Sequence, residues 1–411
     1  MNNIINQLPP MAMGEEINSQ LSILPTYNDN IRKEDTTIRL MALSDLYNIY
    51  IPSAMSTEIY CKLYLALIHS LKKKSGITAI HQRNENYKLM QKQPYNSIIG
   101  GSDSFSIIGC SGIGKSTAII RAIDLIGKNG IIELKEPNTK IIPFVVVQCP
   151  FDCSVKGLLL EILRQVDEKI GSDYYSKGMK ARVTTDMLIG SVSQVALNHI
   201  GLLVVDEIQN VVNNKGGHSL VGMLTQLINC SGISICMVGT PESTPFFEQA
   251  LQLARRSLGL HYTTLEYNDY FCDFCRTLFE YQYTKNKVEL SENFINWLYE
   301  HSNGIISVVI SLFHDAQEIA ILNGTEKVCK ETLNLAYQKR LSMLHSYIEP
   351  TKTKRKQTST IKHPQNLYSE VVESVADTEI TIHRIVEKSK AECLDIVQEL
   401  KKYLPVVEVQ I

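Results

Sequence analysis

Apolar runs and helical repeats alternate through the middle of the chain and predict a parallel α/β sheet. Continuous apolar stretches without polar alternation are typical of strands that helices cover on both faces. Apolar residues recur with helical spacing at 158–166 and 187–197, between these stretches. Such strand–helix alternation favours a parallel sheet. Five strands are predicted, at 105–108, 141–147, 202–205, 233–238 and 260–265.

The pattern changes after Tyr267, where apolar runs of strand type disappear. Helical spacing takes over, and Ser291 is placed to cap the second helix of this part. The predicted helices cover 271–283, 291–301, 305–322 and 330–344. A small all-helical lid is therefore expected to follow the α/β core.

Composition divides the chain further. The start is polar and contains Pro9, Pro10 and Pro25, which predicts a loose arm, and the stretch 351–362 is basic and rich in hydroxyl groups. This stretch reads as a solvated linker, with contact to nucleic acid or an acidic partner as the alternative. The predicted divisions are an N-terminal arm (1–44), an ATPase core (45–266), a lid (267–346), a linker (347–366) and a C-terminal tail (367–411).

Charge and cysteine content narrow the classes of function. The net charge of −2 over 411 residues excludes a global positive field, so any DNA contact must come from local patches. No apolar run is long enough to cross a bilayer, and the expected location is the cytoplasm. Cys272 and Cys275 have zinc-ligand spacing without a second pair nearby, and Cys149 and Cys153 would complete a site only if the fold brought them close. Buried free thiols are the simpler interpretation.

A glycine-rich loop between the first strand and a helix carries the main chemical signal. Gly109-x4-Gly114-Lys115-Ser116 fits the phosphate-binding (Walker A) loop, in which backbone N–H groups surround phosphate oxygens. Lys115 is expected to reach the β- and γ-phosphates, and the Ser116 hydroxyl to ligate Mg²⁺. The nucleotide-binding residues are predicted to be Gly109, Ser111, Gly112, Ile113, Gly114, Lys115, Ser116 and Thr117.

Two later strands end in polar residues that should meet the same site. Asp206 and Glu207 follow an apolar strand, at the edge where ligands collect in parallel sheets. Asp206 would hold Mg²⁺ through water, and Glu207 would polarise the attacking water. Thr240 ends the next strand and could sense the γ-phosphate. Arg255 and Arg256, at the end of a predicted helix, include a candidate arginine finger for a neighbouring subunit.

These pieces, in this order, resemble the AAA+ ATPases, and specifically the TnsC/TniB group of transposition regulators. The similar stretches are GCSGIGKS (109–116), VVVQCPFDCSVKGLLLEIL (145–163), LLVVDEIQNVV (202–212), MVGTPES (237–243), ARRSLGL (254–260) and HSNGIISVVISLFHDAQEIAI (301–321). The resemblance implies an α/β AAA+ P-loop NTPase core with a five-stranded parallel sheet, followed by the helical lid. The last stretch resembles the second-sensor helix, but residues 304–307 lack the arginine that many AAA+ proteins carry there, which would make hydrolysis slow.

The resemblance also implies partners and a reaction. Such proteins use ATP and Mg²⁺ to assemble as rings or filaments, hexameric or heptameric, on double-stranded DNA without reading its sequence. They link a target selector of TniQ/TnsD type to the transposase TnsB, in some systems with a TnsA-type endonuclease, and disassemble on hydrolysis. Lys135, Lys140 and Lys156 are candidate contacts to the DNA backbone, since they flank the strand near which ring-forming relatives meet DNA.

Two other classes of function stay open. A protein-remodelling AAA+ motor would carry an aromatic-apolar-glycine pore loop, and no such tripeptide lies between the phosphate loop and Asp206. A P-loop signalling ATPase would sense a ligand through its lid and tail. ATPase activity that is indifferent to duplex DNA would favour this second class.

Overall fold

A six-stranded sheet supports the glycine-rich loop in the computed structural model of the chain. The structure describes residues 6–74, 104–134, 139–180, 182–212, 217–244 and 259–342, with scattered positions between 79 and 94. All of them belong to one unit within residues 1–352. The predicted linker and the predicted tail fall entirely outside the described residues, as do Lys135, Arg255 and Arg256.

The sheet contains the five predicted parallel strands and a further strand at one edge. Its order is β2-β3-β4-β5-β1-β6, in which β2 pairs antiparallel with β3 and the other neighbours pair parallel. The predicted α/β fold class is confirmed, whereas β2 was missed because three residues carry no periodic signal. The strands are β1 (Phe105–Gly109), β2 (Ile132–Leu134), β3 (Thr139–Gln148), β4 (Ile200–Asp206), β5 (Ser234–Gly239) and β6 (Leu260–Tyr262).

Helices cover both faces of the sheet, which explains why β1, β4 and β5 are buried along almost their whole length. Alternate residues of β4 face opposite sides: Leu203 and Val205 pack with α5, α7 and α8, whereas Leu202 and Val204 pack with α1, α3 and α4. The helices of this part are α1 (Glu15–Leu21), α2 (Thr36–Ala42), α3 (Ala54–Lys74), α4 (Lys115–Ile126), α5 (Val155–Ile170), α6 (Tyr174–Gly178), α7 (Thr185–His199) and α8 (Gly217–Ser231).

The helical lid forms around its own aromatic core. Phe279 and Phe313 stack with ring centroids 4.4 Å apart, and Cys272 and Cys275 are buried free thiols in the first lid helix. That helix is capped by Asn268, whose side chain accepts a hydrogen bond from the Phe271 N–H. Ser291, which was predicted to cap the next helix, makes no such bond. The lid helices are α9 (Asp269–Glu280), α10 (Glu292–Ser302), α11 (Ile306–Leu322) and α12 (Lys330–Arg340).

The N-terminal segment is packed, contrary to the expectation of a loose arm. Ile17 and Leu21 of α1 are buried against the sheet, and Leu46 is buried in the lid core. The fully buried guanidinium of Arg39 donates two hydrogen bonds to the carboxylate of Glu326, at 2.7 and 2.8 Å. The segment is therefore fastened to both the core and the lid by a few apolar contacts and an ion pair.

No single helix in the described part of the chain is both long and apolar enough to cross a bilayer. The bent pair α10 and α11, at 119° to each other, passes that test only by combined length and composition.

Candidate nucleotide-binding site

The phosphate loop joins β1 to α4 through two glycines in the left-handed region. Gly112 has a φ of +79° and Gly114 a φ of +97°, conformations that residues with a Cβ adopt at a cost. Helix α4 begins directly at Lys115, so its first N–H groups face the loop. The loop therefore presents backbone donors and a helix N-terminus to the same small volume, as phosphate binding requires.

The Lys115 side chain lies folded over the loop and is largely buried. Its Nζ donates hydrogen bonds to the carbonyls of Gly109, at 2.5 Å, and Cys110, at 2.7 Å. Burial lowers the pKa of Lys115, and the nearby Asp206 carboxylate opposes that shift. An ammonium held only by carbonyl oxygens is well placed to exchange those partners for phosphate oxygens.

Ser116 and Asp206 meet on the opposite side of the loop. The Ser116 Oγ lies 3.5 Å from Asp206 Oδ2, and the Glu207 N–H donates to Asp206 Oδ1 at 2.8 Å. Hydroxyl and carboxylate oxygens are ligands that Mg²⁺ prefers, usually with several waters retained. The two side chains therefore fit a magnesium ion shared with a bound phosphate.

Glu207 and Thr240 stand on neighbouring strand ends and are joined through Gln209. Glu207 has a φ of +58°, and its Oε2 accepts a hydrogen bond from Gln209 Nε2. Gln209 Oε1 accepts from the Thr240 N–H at 3.3 Å, and the Thr240 hydroxyl donates to Glu242. Gln209 was not among the predicted site residues, because its contact with Thr240 joins positions 31 residues apart.

A cavity of about 250 Å³ connects these groups. Gly109 lies outside its lining and contributes its carbonyl to Lys115, whereas the buried Ile113 lines a neighbouring cavity. Three lining residues, Gln209, Gly239 and Ser307, were not predicted. The full lining is Ser111, Gly112, Gly114, Lys115, Ser116, Thr117, Asp206, Glu207, Gln209, Gly239, Thr240 and Ser307.

The lid contacts the phosphate loop at Gly112. The Ser307 N–H, in the first turn of α11, donates to the Gly112 carbonyl at 3.2 Å. A Cβ added to Gly112 would lie 2.3 Å from Ser307 Oγ and 2.9 Å from Ile305 Cγ2, so the two segments touch without space for a side chain. The segment that resembles a second-sensor helix thus reaches the loop with a serine and a helix N-terminus in place of an arginine.

A second cavity of about 270 Å³ adjoins the first across the loop. Gly112, Gly114, Thr117 and Ser307 line both cavities. Its other walls come from the segment before α3, from α4 and from the lid. They include Tyr47, Asn48, Ile49, Tyr50, Ile51, Arg121, Tyr270, Phe274 and Ile310.

The two described candidates for DNA contact, Lys140 and Lys156, lie far apart. Lys140 is exposed near the start of β3, and Lys156 is exposed in the first turn of α5, beyond the other end of that strand. A strand rises about 3.3 Å per residue, so the eight steps from Lys140 to Gln148 span about 26 Å and separate the two lysines. Of these two described lysines, Lys156 is the one at the sheet edge that carries the cavity.

The cysteine pairs give no zinc site among the described residues. Cys149 and Cys153 do lie close to each other, and their proximity with burial raises the pKa of Cys149 to about 12. The only described set of three or more side chains with metal-ligating geometry is His314, Asp315 and Glu318, on the surface of α11. Arg340 already pairs with Glu318 at 3.2 Å.

Comparison with known proteins agrees with this geometry. A family model described as "AAA domain" matches residues 100–247, which contain the loop, Asp206, Glu207 and Thr240. No curated protein matches the sequence.

Several solved structures are distantly similar to this chain. The Aeropyrum pernix ORC1 protein in complex with DNA has 14% identity and a TM-score of 0.42, with 79% of this chain and 82% of that chain covered. The ADP form of ORC2 from the same organism has 14% identity and a TM-score of 0.41, with coverage of 80% and 94%. A Walker-type ATPase of Pyrococcus abyssi has 13% identity and a TM-score of 0.35, with coverage of 78% and 89%. From the family match and the site geometry, residues 100–247 form an AAA-type P-loop ATPase domain within an α/β AAA+ fold.

Proposed function

We propose that this chain is an ATP-dependent, DNA-binding regulator of transposition. It would oligomerise on double-stranded DNA with ATP bound, link a target-selection protein to the transposase, and disassemble when ATP is hydrolysed. The observation that carries the enzymatic part is the convergence of Lys115, Ser116, Asp206, Glu207 and Thr240 on the cavity of about 250 Å³. The transposition part is supported by the TnsC/TniB-like stretches of the sequence.

The cavity supports phosphoryl transfer to water in a direct way. Lys115 would exchange the Gly109 and Cys110 carbonyls for phosphate oxygens, and the loop N–H groups would hold the remaining charge. Ser116 and Asp206 would hold Mg²⁺, which neutralises charge on the phosphates. Glu207 would orient the attacking water and accept its proton, because its Oε1 is not engaged by Gln209.

The second cavity supports the choice of a nucleoside triphosphate over a simple phosphate. It adjoins the phosphate loop, and it is lined by aromatic rings such as Tyr47 and Tyr50 and by the cation of Arg121. A base and ribose would occupy this volume while the phosphates occupy the first. The lid would then contact both parts of the nucleotide through the first turn of α11.

Assembly on DNA is proposed from the resemblance and from charge. With a net charge of −2, the duplex would be bound by local groups, for which Lys135, Lys140 and Lys156 are candidates. Arg255 or Arg256 would reach the site of a neighbouring protomer, so that hydrolysis depends on assembly. The proposed protein partners are a TniQ/TnsD-type selector, TnsB and a TnsA-type endonuclease.

ATP-dependent co-sedimentation with duplex DNA tests the proposal. The wild-type chain is expected to sediment with DNA in ATP and to be released as ATP is consumed. Lys115→Ala should lose both nucleotide binding and sedimentation, because the triphosphate loses its cation. Glu207→Gln should bind ATP yet stay on DNA, because hydrolysis stops after binding. A chain that hydrolyses ATP at the same rate with and without DNA and never sediments would instead be a signalling ATPase.

A further inference from the structure

The side-chain amide of Gln209 connects the carboxylate of Glu207 to the backbone of Thr240, directly after β5. It lies in the short 3₁₀ helix Ile208–Val211 that follows Glu207. Its Nε2 donates to Glu207 Oε2, and its Oε1 accepts from the Thr240 N–H at 3.3 Å. A carboxylate can only accept and a backbone N–H can only donate, so the two partners fix which end of the amide faces which.

Tight packing holds the link in place. Gly239 precedes Thr240, and a Cβ added there would lie 2.6 Å from Ile208 Cγ2 and 3.1 Å from Gln209 Oε1. The Val212 N–H also donates to the Gln209 carbonyl at 3.0 Å. The turn after β5 and the 3₁₀ helix after β4 are therefore in direct contact, without room for a side chain between them.

From this geometry we infer that Gln209 is a positioning residue for hydrolysis, which rests on the ATPase function proposed above. It fixes Oε2 of the otherwise exposed Glu207 and leaves Oε1 for the attacking water. Its other end is set by the Thr240 turn, which lines the cavity where the terminal phosphate would lie. A phosphate that moves Thr240 thereby moves the amide that orients Glu207, so water activation follows correct seating of the triphosphate.

Steady-state kinetics of two substitutions test this role. Gln209→Leu removes both hydrogen bonds, and Gln209→Glu keeps an acceptor for Thr240 while losing the donor to Glu207. Both should lower kcat by about 10- to 100-fold, since misplacing a catalytic group by about 1 Å costs this much. For Gln209→Leu, the KM for ATP and the affinity for a non-hydrolysed ATP analogue should stay within about twofold, because the Gln209 amide is bonded to Glu207 and Thr240. Gln209→Glu adds a negative charge to the cavity lining and should weaken nucleotide binding as well.

A matched control comes from another glutamine bonded to a glutamate. Gln165 Nε2 donates to Glu161 Oε1 at 3.0 Å on α5, outside the lining of the cavity. Gln165→Leu loses the same type of bond and should leave kcat unchanged. In single-turnover assays, Gln209→Leu added to Glu207→Gln should cost no further rate, since both changes act through one carboxylate.

Each other result overturns the inference. A kcat within twofold of wild type in Gln209→Leu, or a raised kcat, would show that Gln209 does not position Glu207 for attack. A higher KM with kcat unchanged would make it a nucleotide-binding residue instead. If Gln209→Leu fails to fold, Gln209→Glu decides alone. A wild-type chain without ATPase activity refutes the proposed function itself, whereas a Glu207-dependent ATPase that is insensitive to Gln209 refutes only the positioning role.

Discussion

Replacing Arg39 by methionine should destabilise the chain by about 3 kcal/mol. The guanidinium is fully buried, and besides its two bonds to Glu326 it donates to the carbonyls of Glu34 and Tyr283, each at 3.1 Å. Removing one partner of a buried ion pair costs about 3–5 kcal/mol, because the other charge is left without compensation. The Glu326 side chain is 16% exposed, and its Oε1 lies 3.8 Å from Lys285 Nζ. Water and this second cation relieve part of the penalty, so the lower end applies.

Urea unfolding followed by tryptophan fluorescence measures this cost. Trp297 is the only tryptophan in the sequence and stacks on His301 within the lid. Its emission therefore reports on unfolding of the lid, to which Arg39 is bonded through Glu326. Glu326→Gln and the double variant Arg39→Met/Glu326→Gln complete a double-mutant cycle. The double variant should lose less unfolding free energy than the sum of the losses in the two single variants. A loss below about 1 kcal/mol for Arg39→Met, or strict additivity, would refute the reasoning.

The same pair predicts a pH dependence with a definite sign. Hydrogen bonds from Arg39 lower the pKa of Glu326 below its ordinary value of 4.5. A carboxyl with a lowered folded-state pKa stabilises the protein above its unfolded pKa, and this stability is lost as the pH falls below that value. The difference in unfolding free energy between wild type and Arg39→Met should therefore shrink below about pH 4.5. A difference that is constant down to full protonation would contradict the ion-pair account.

Two further predictions concern the lid and the DNA surface. Gly112→Ala should lower nucleotide affinity about tenfold, measured with a fluorescent ATP analogue, because its Cβ would push Ser307 away from the loop. Gly130→Ala is the control, because Gly130 has a φ of +76° and open space around it, so its substitution costs only the backbone strain of about 1–2 kcal/mol. This variant should bind nucleotide normally. Equal losses of nucleotide affinity in the two variants would exclude a role for the lid contact. Lys140→Ala and Lys156→Ala should show which sheet edge meets the duplex: a variant that loses a phosphate contact reduces the salt slope by about 0.9. If neither slope changes, both lysines are excluded.

The features that were predictable are those with a strong local signal. Four of the five parallel strands are largely apolar runs, whereas the edge strand β6 is the short segment Leu-His-Tyr. The phosphate loop has a fixed spacing between its glycines and Lys115. Asp206 and Thr240 could be placed near the loop because parallel strands end at one sheet edge. The lid helices carry clear helical spacing around large aromatic residues.

The features that were missed depend on contacts between distant parts of the chain. The N-terminal segment looks polar because it buries few residues, and the pairing of Arg39 with Glu326 joins positions 287 residues apart. Gln209 acquires its role only when the turn at Thr240 approaches it, 31 residues later in the sequence. Ser307 likewise meets Gly112 only once the lid is docked. The hydrophobic periodicity of a short stretch of sequence carries no information about contacts between residues so far apart in the chain.

The Arg39–Glu326 pair has a consequence for nucleotide exchange. Under the proposed ATPase function, a partner that binds the N-terminal segment around Arg39 would also act on the lid, because the buried ion pair joins the two. A bound partner would in this way change the rate at which ADP dissociates. Arg39→Met removes the ion pair without any partner present, so the rate of ADP dissociation should be higher than that of the wild-type chain.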